Sequence, residues 1–385
     1  MPRITPWIIL LCKFSDDPGT SDLRSIADYA AFFGGDDRDS IPSYWRDISH
    51  GELDLMTGTE ISPWLQLEQK RSDHTGLSTR NDLVNWAKAA GAKVGVDFGR
   101  FFGVAAFFAV QTDLFGGADD PHVVCDLLSS PAQILQEFGH AYGLKHSRSV
   151  VNPIDYTNPF CIMSSMTFGG DDEVFRRVDP TFASRWGASG PGLSSPYVLE
   201  SGWLPESRSV NVVSNGKYPS STTIDLSPLG DLNPPHPQMA VVQFDTPQSV
   251  RYCIEYRRGG WDRGVFYDPI VLHQLRADGL SYYSGLIRPF KPGAGGDATH
   301  PAPAISAGKW YVDQNYDLSV ELLAMSADRE TVTLRIAPAA AARTLSVRGI
   351  VASRLQLTGG FSIGKQVLPR KEESLRGRLI DLLGS

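Results

Sequence analysis

Gln136-Glu137-Phe138-Gly139-His140-Ala141-Tyr142-Gly143-Leu144-Lys145-His146 is the stretch on which the reading of this chain turns. On a helix, positions i and i+4 share a face, so Gln136 and His140 converge while Glu137 stands beside them. Gly143 then ends the helix, because glycine turns the backbone sharply at no steric cost, and His146 comes back toward the same point. An amide oxygen, two imidazoles and an adjacent carboxylate form a candidate divalent-metal site. Gln136, His140 and His146 are its ligands and Glu137 its general base. The plainer reading, a buried helix with a hydrogen-bonded histidine, leaves the Gly143 and His146 spacing without a reason.

The flanking residues predict the helix independently of that spacing. Ser130 can cap it, Pro131 suits the first turn, and Gln133 completes a capping box. Ile134, Leu135, Phe138, Ala141 and Tyr142 supply an apolar side, so a helix over about 131–142 buries one face and turns the other toward a cleft. Downstream, Asp155-Tyr156-Thr157-Asn158-Pro159-Phe160-Cys161-Ile162-Met163-Ser164 reads as a turn, with Met163 as a soft apolar filler beneath the imidazoles. Tyr156, between His146 and that turn, is a candidate oxyanion donor in catalysis, against the plain alternative of a ring packed beside a turn.

Residues 136–146 match H-E-x-x-H-x-x-G-x-x-H with glutamine in place of the first histidine. Here the chain resembles the gametolysin family of metzincin peptidases and, more distantly, the immune inhibitor A type of metallopeptidase. Further likeness lies in Ile8 to Phe14 with Ser15-Asp16, in Ser43 to Leu53, at Trp64, and in Tyr252 to Arg257 with Trp261-Asp262 and Val271-Leu272-His273; it covers about residues 5–336. The resemblance implies an α+β fold, a zincin/metzincin-like catalytic domain followed by an antiparallel β-sandwich domain. It also implies a metalloendopeptidase that binds zinc, acts on a protein or peptide substrate, and places Met163 under the metal. Glutamine in the first ligand position recurs among gametolysin-like peptidases. Its carbonyl is a harder, weaker zinc donor than imidazole, and copper stays an alternative because Cu(II) stands above Zn(II) in affinity for a given N/O site.

The 385 residues, 42% hydrophobic, suffice for a full core, and the net charge of -7 with no Lys/Arg-rich run gives no footprint for nucleic acid. The longest apolar run, Phe101 to Val110, is too short for a membrane span. Met1 to Trp7 leads into a strand-like run without a recognisable signal peptide or pro-region, so localisation stays open. Cys12 and Cys253 lie in apolar runs as buried thiols. Cys125 and Cys161 flank the candidate site, where a bridge is the alternative to two thiols. Asp36-Asp37, Asp119-Asp120 and Asp171-Asp172 sit beside glycines without EF-hand spacing and read as solvated turns. His50, His74 and His122 carry no ligand spacing and read as ordinary polar residues.

The pattern predicts a strand near 7–14, helices near 21–33, 40–49 and 79–93, and strands near 52–56 and 102–111. A Gly/Ser/Pro-rich stretch, Gly187 to Pro196, precedes a boundary near 205, so residues 1–205 form the metzincin-like domain. Short alternating runs over 206–340 predict the β-sandwich domain, and 341–385 form a C-terminal extension with an amphipathic helix near Glu372 to Leu383. Three functions are compatible with these residues: a metal-dependent endopeptidase, an inactive pseudo-peptidase serving as a binding or interaction protein, and a copper protein.

Overall fold

The computed structural model describes residues 1–17, 24–74, 79–112, 114, 116–117, 121–167, 191–212, 221–244, 249–262, 268–287, 289 and 309–339. These all belong to one compact unit, Met1–Ala339. The helix expected near Glu372 to Leu383, and the pairs Asp119-Asp120 and Asp171-Asp172, lie outside the described residues.

The elements of the first half are β1 (Arg3–Ile4), β2 (Trp7–Lys13), α1 (Ile26–Gly34), α2 (Ile41–Ile48), β3 (Leu53–Asp54), β4 (Glu60–Ile61), β5 (Leu65–Gln66), α3 (Arg71–His74), α4 (Arg80–Lys93), β6 (Gly103–Phe108), β7 (Gly116–Gly117), β8 (His122–Asp126), α5 (Pro131–Ala141) and β9 (Arg148–Ser149). One sheet runs in the order β4-β2-β6-β8-β7, with β5 also paired to β2. Its pairs are parallel except the last, where β7 lies antiparallel to β8 and forms the edge. Apolar runs without polar alternation make β2 and β6 strands buried on both faces. Trp7, Ile9 and Leu11 face a core shared with α1, α2 and α5, whereas Ile8, Leu10 and Cys12 face one shared with α4. That period-two division places α5 against one side of the sheet and α4 against the other. Capping boxes start three of the helices: Ser25 with Asp28, Thr79 with Asp82, and Ser130 with Gln133.

The second half is built from β10 (Ser209–Asn211), β11 (Thr222–Leu226), β12 (Met239–Gln243), β13 (Arg251–Tyr256), β14 (Ile270–Leu275), β15 (Ser281–Ile287), β16 (Lys309–Asp313), β17 (Leu318–Met325) and β18 (Val332–Pro338). A six-stranded sheet has the order β10-β12-β13-β14-β15-β9, and a four-stranded sheet the order β11-β18-β17-β16. Ala240, Val242, Tyr252 and Ile254 of the larger sheet share one core with Leu226, Val320, Leu334 and Ile336 of the smaller. The alternate residues Met239, Val241 and Cys253 point the opposite way, into the core of the first half. The larger sheet is therefore apolar on both faces, and residue 205 marks a change of element type within continuous packing. The sheet also takes in β9, which pairs parallel to β15 through Arg148 with Tyr282 and Ser149 with Tyr283. The chain is thus a mixed α+β protein of several sheets and few helices. No helix among the described residues is long and apolar enough to cross a membrane.

Candidate metal centre

Helix α5 forms as its residues require. Ser130 Oγ accepts from the Gln133 amide at 3.2 Å, and Gln133 Oε1 accepts from the Ser130 amide at 2.8 Å. Ile134, Leu135 and Phe138 enter the core. Gln136 and Glu137 are also buried, at 1% and 6% exposure, so two polar side chains are held in an apolar helix and need partners. Gly143 follows with φ 82°, the left-handed turn that returns the chain to His146.

The two imidazoles meet edge to face, with ring centroids 4.7 Å apart at 72°. Nδ1 of His140 lies 2.8 Å from the carbonyl oxygen of Leu144, which only accepts, so Nδ1 carries the proton and Nε2 keeps its lone pair. His146 repeats the arrangement, its Nδ1 standing 3.0 Å from Oδ2 of Asp155. Asp155 Oδ1 in turn accepts from Nε of Arg148 at 2.8 Å. Its hydrogen bond from His146, aided by Arg148, holds the Asp155 carboxyl below its usual range although desolvation opposes this. Each imidazole thus gives its Nδ1 proton to an oxygen, the kind of partner that fixes the tautomer of metal-binding histidines.

Tyr156 completes the cluster. Its hydroxyl lies 2.9 Å from Nε2 of His146, the rings stand 4.1 Å apart, and a further hydrogen bond links it to Gln136. Tyr156 has φ 65°, uncommon for a residue with a side chain, and this turn aims the phenol back at the site. Burial pushes its pKa up. Gln136 donates through Nε2 to Oε1 of Glu137 at 3.5 Å, which leaves Oε1 of Gln136 as its acceptor. Burial drives Glu137 up to about 7, against the opposing pull of the Gly117 amide, the Arg80 charge and Gln136. The edge strand β7 therefore borders the carboxylate directly.

Met163, wholly buried, lies under the helix: its sulfur would stand 2.6 Å from a Cβ placed on Gly139, the residue before His140. The Met163 carbonyl accepts from the Ser147 amide at 3.1 Å, which ties this floor to the residue after His146. The downstream sheet grips the same loop. Arg257, fully buried on the chain just after β13, donates to the carbonyls of Phe160 at 2.9 Å and Leu193 at 2.7 Å and pairs with Asp262 at 2.8 Å. Tyr197 Oη donates to the His146 carbonyl at 3.0 Å.

The sequence therefore singled out five side chains, Gln136, Glu137, His140, His146 and Tyr156, that come together, with Met163 beneath them. Asp155 and Arg148 behind His146, and Gly117 and Arg80 beside Glu137, had no spacing signal. Among the described residues no group of three His, Cys, Asp or Glu side chains is arranged to hold a metal ion. His50 instead accepts from Arg208 at 3.2 Å, His74 bonds the Thr112 carbonyl and stacks on Phe14, and His122 opens β8. Cys12, Cys125, Cys161 and Cys253 are all buried free thiols, so no bridge joins Cys125 to Cys161.

No family model matches the chain, and no curated protein matches it. Among solved structures it is similar to wild-type OgpA from Akkermansia muciniphila, at 12% identity and a TM-score of 0.32 over 75% of this chain and 94% of that one. A second crystal form of OgpA gives 13% identity and 0.28 over the same shares. Likeness at this level carries no argument, and the site stands on its own geometry.

Proposed function

We propose that this chain is a gametolysin-like, metal-dependent endopeptidase, with a zincin-type first half backed by a β-sandwich. Gln136, His140 and His146 would hold the ion, zinc by preference and copper as the alternative. The observation that carries this reading is the pair of imidazoles, 4.7 Å apart, that both spend their Nδ1 protons on oxygens and so keep the lone pair on Nε2. A bound zinc would supply Lewis acidity to the scissile carbonyl and lower the pKa of the attacking water.

The chain's own groups perform the proton work. Glu137 takes a proton from the attacking water on its carboxylate and delivers it to the leaving amine. Burial on α5 suits both halves of that cycle, since it raises the proton affinity of the carboxylate toward neutral pH. Tyr156, hydrogen-bonded to Nε2 of His146, would with that nitrogen on a metal have its hydroxyl left to donate to the carbonyl oxygen as charge develops there. Gly117 on the edge strand donates its amide to Glu137 and so positions the carboxylate.

The test is peptide hydrolysis by zinc-loaded protein with and without chelator, alongside Glu137→Ala. Chelator-sensitive cleavage that Glu137→Ala abolishes, with metal still bound, supports the reading; cleavage at the parent rate by the variant removes the role of Glu137. The two-imidazole count favours one second reading, an inactive pseudo-peptidase that binds partners. Absence of both zinc binding and hydrolysis in the parent would select it.

A further inference from the structure

The proposed hydrolysis leaves open what the site selects, and Arg80 at the start of α4 bears on that question. Arg80 is the first residue of α4, directly after the cap Thr79, and its side chain is exposed. A cation in the first turn opposes the helix macrodipole, so helix stability does not account for an arginine there. The guanidinium lies flat on the edge strand: a Cβ on Gly116 would meet Arg80 Cζ at 2.8 Å and Nε at 2.9 Å. Gly116 has φ 133°, so the strand is kept bare at the point where the guanidinium rests on it. One hydrogen bond, from Arg80 to the Gly117 carbonyl at 3.3 Å, fixes the group. A guanidinium carries five N–H donors, and among the described residues this one bond uses one of them. No acidic side chain pairs with Arg80 among the described residues, although the chain carries a net charge of -7. Its charge nevertheless reaches Glu137 and Tyr156 at the reacting centre.

We infer that Arg80 is a specificity-determining residue that takes a carboxylate of the substrate close to the bond being cut. The planar fork matches a carboxylate in two parallel hydrogen bonds, and its seat on Gly116 and Gly117 of the edge strand holds it close to Glu137. Two sources supply that chemistry, an Asp or Glu side chain or a free C-terminal carboxylate. This inference rests on the endopeptidase reading for its kinetic form; its binding form does not.

The experiment uses full-length, zinc-loaded protein and a set of fluorogenic peptides. Asp or Glu is exchanged for Asn or Gln near the cleavage point, and each peptide is made with a free and an amidated C-terminus. The parent is expected to prefer the carboxylate-bearing member by about tenfold or more in kcat/KM, carried mainly by KM. The side-chain and C-terminal series tell which source is read. Arg80→Gln loses the preference, Arg80→Glu turns it toward Lys-bearing peptides, and Arg80→Lys keeps part of it by keeping the charge. Equal rates across each pair in the parent, or an undiminished preference in a folded Arg80→Gln, overturn the inference. Should the parent cleave nothing, the hydrolysis reading fails separately. Fluorescence anisotropy with the same peptides then decides: carboxylate-dependent binding lost in Arg80→Gln supports the role, and equal or absent binding removes it.

Discussion

Tyr156 Oη and His146 Nε2 stand 2.9 Å apart, so the phenol occupies the lone pair that a metal ion would claim. On the proposed function, metal binding at His146 would break this hydrogen bond and leave the hydroxyl to donate to a developing oxyanion. A neutral hydrogen bond contributes about 1 kcal/mol net. Tyr156→Phe is thus expected to raise zinc affinity by up to about fivefold. It should also lower kcat by about a hundredfold, as loss of an oxyanion donor does. Competitive chelator titration and turnover of one peptide measure the two effects. An unchanged kcat would remove Tyr156 from the chemistry.

Met163 and Gly139 make the second close relationship. With 2.6 Å between the sulfur and an added Cβ, Gly139→Ala forces either the Met163 floor or α5 to shift. Overpacking of this kind costs about 1–3 kcal/mol. A lower unfolding midpoint in urea is expected, with partial recovery in Gly139→Ala combined with Met163→Ala. Wild-type stability in Gly139→Ala would mean that the methionine does not sit under the helix.

How much of this was written in the chain follows from which interactions are local. Ser130, Pro131 and Gln133 act within one turn, so α5 was expected over 131–142 and runs Pro131–Ala141. The strand near 7–14 and the helix near 79–93 were equally plain, from an unbroken apolar run and a capped helix. The helix near 21–33 begins later, at Ile26, where Ser25 caps it. The edge strand Gly116–Gly117 escaped because two glycines carry no side-chain pattern. Asp155 escaped because its bond to His146 depends on a loop with a left-handed Tyr156, and Arg257 because an arginine reads as a surface residue until carbonyls and carboxylates are seen around it. The incorporation of β9 into the downstream sheet is a pairing across more than a hundred residues, which no local signal announces.

Arg257 ties the downstream sheet to the floor of the site. Removing one member of a buried charged group leaves Asp262 and Glu255 without their counter-charge, which costs about 3–5 kcal/mol. Arg257→Leu is therefore expected to lose stability of that order in urea unfolding. A change near zero would show that the network contributes nothing to holding the loop from Phe160 to Met163.

His50 gives the fold an acid-sensitive joint. Burial, with help from the Arg208 charge, lowers its pKa from 6.5 to about 4. The folded protein then binds fewer protons than the unfolded chain, so this contribution is full above pH 6.5 and is lost as pH falls toward 4. Its size is about 3 kcal/mol on the scale of 1.36 kcal/mol per pKa unit. His50 has φ 51°, which asparagine tolerates, so His50→Asn is the suitable variant. Its stability should change less between pH 6.5 and 4 than that of the parent; parallel curves would contradict the half-buried neutral imidazole.

Zinc titrated calorimetrically into metal-stripped protein, beside His140→Ala and Gln136→His, tests the proposed metal centre most directly. The geometry predicts one ion per chain for the parent, binding abolished or weakened at least about tenfold without the His140 imidazole, and tighter binding when Gln136 becomes an imidazole. Equal isotherms for the three proteins, or no heat from the parent, would contradict it.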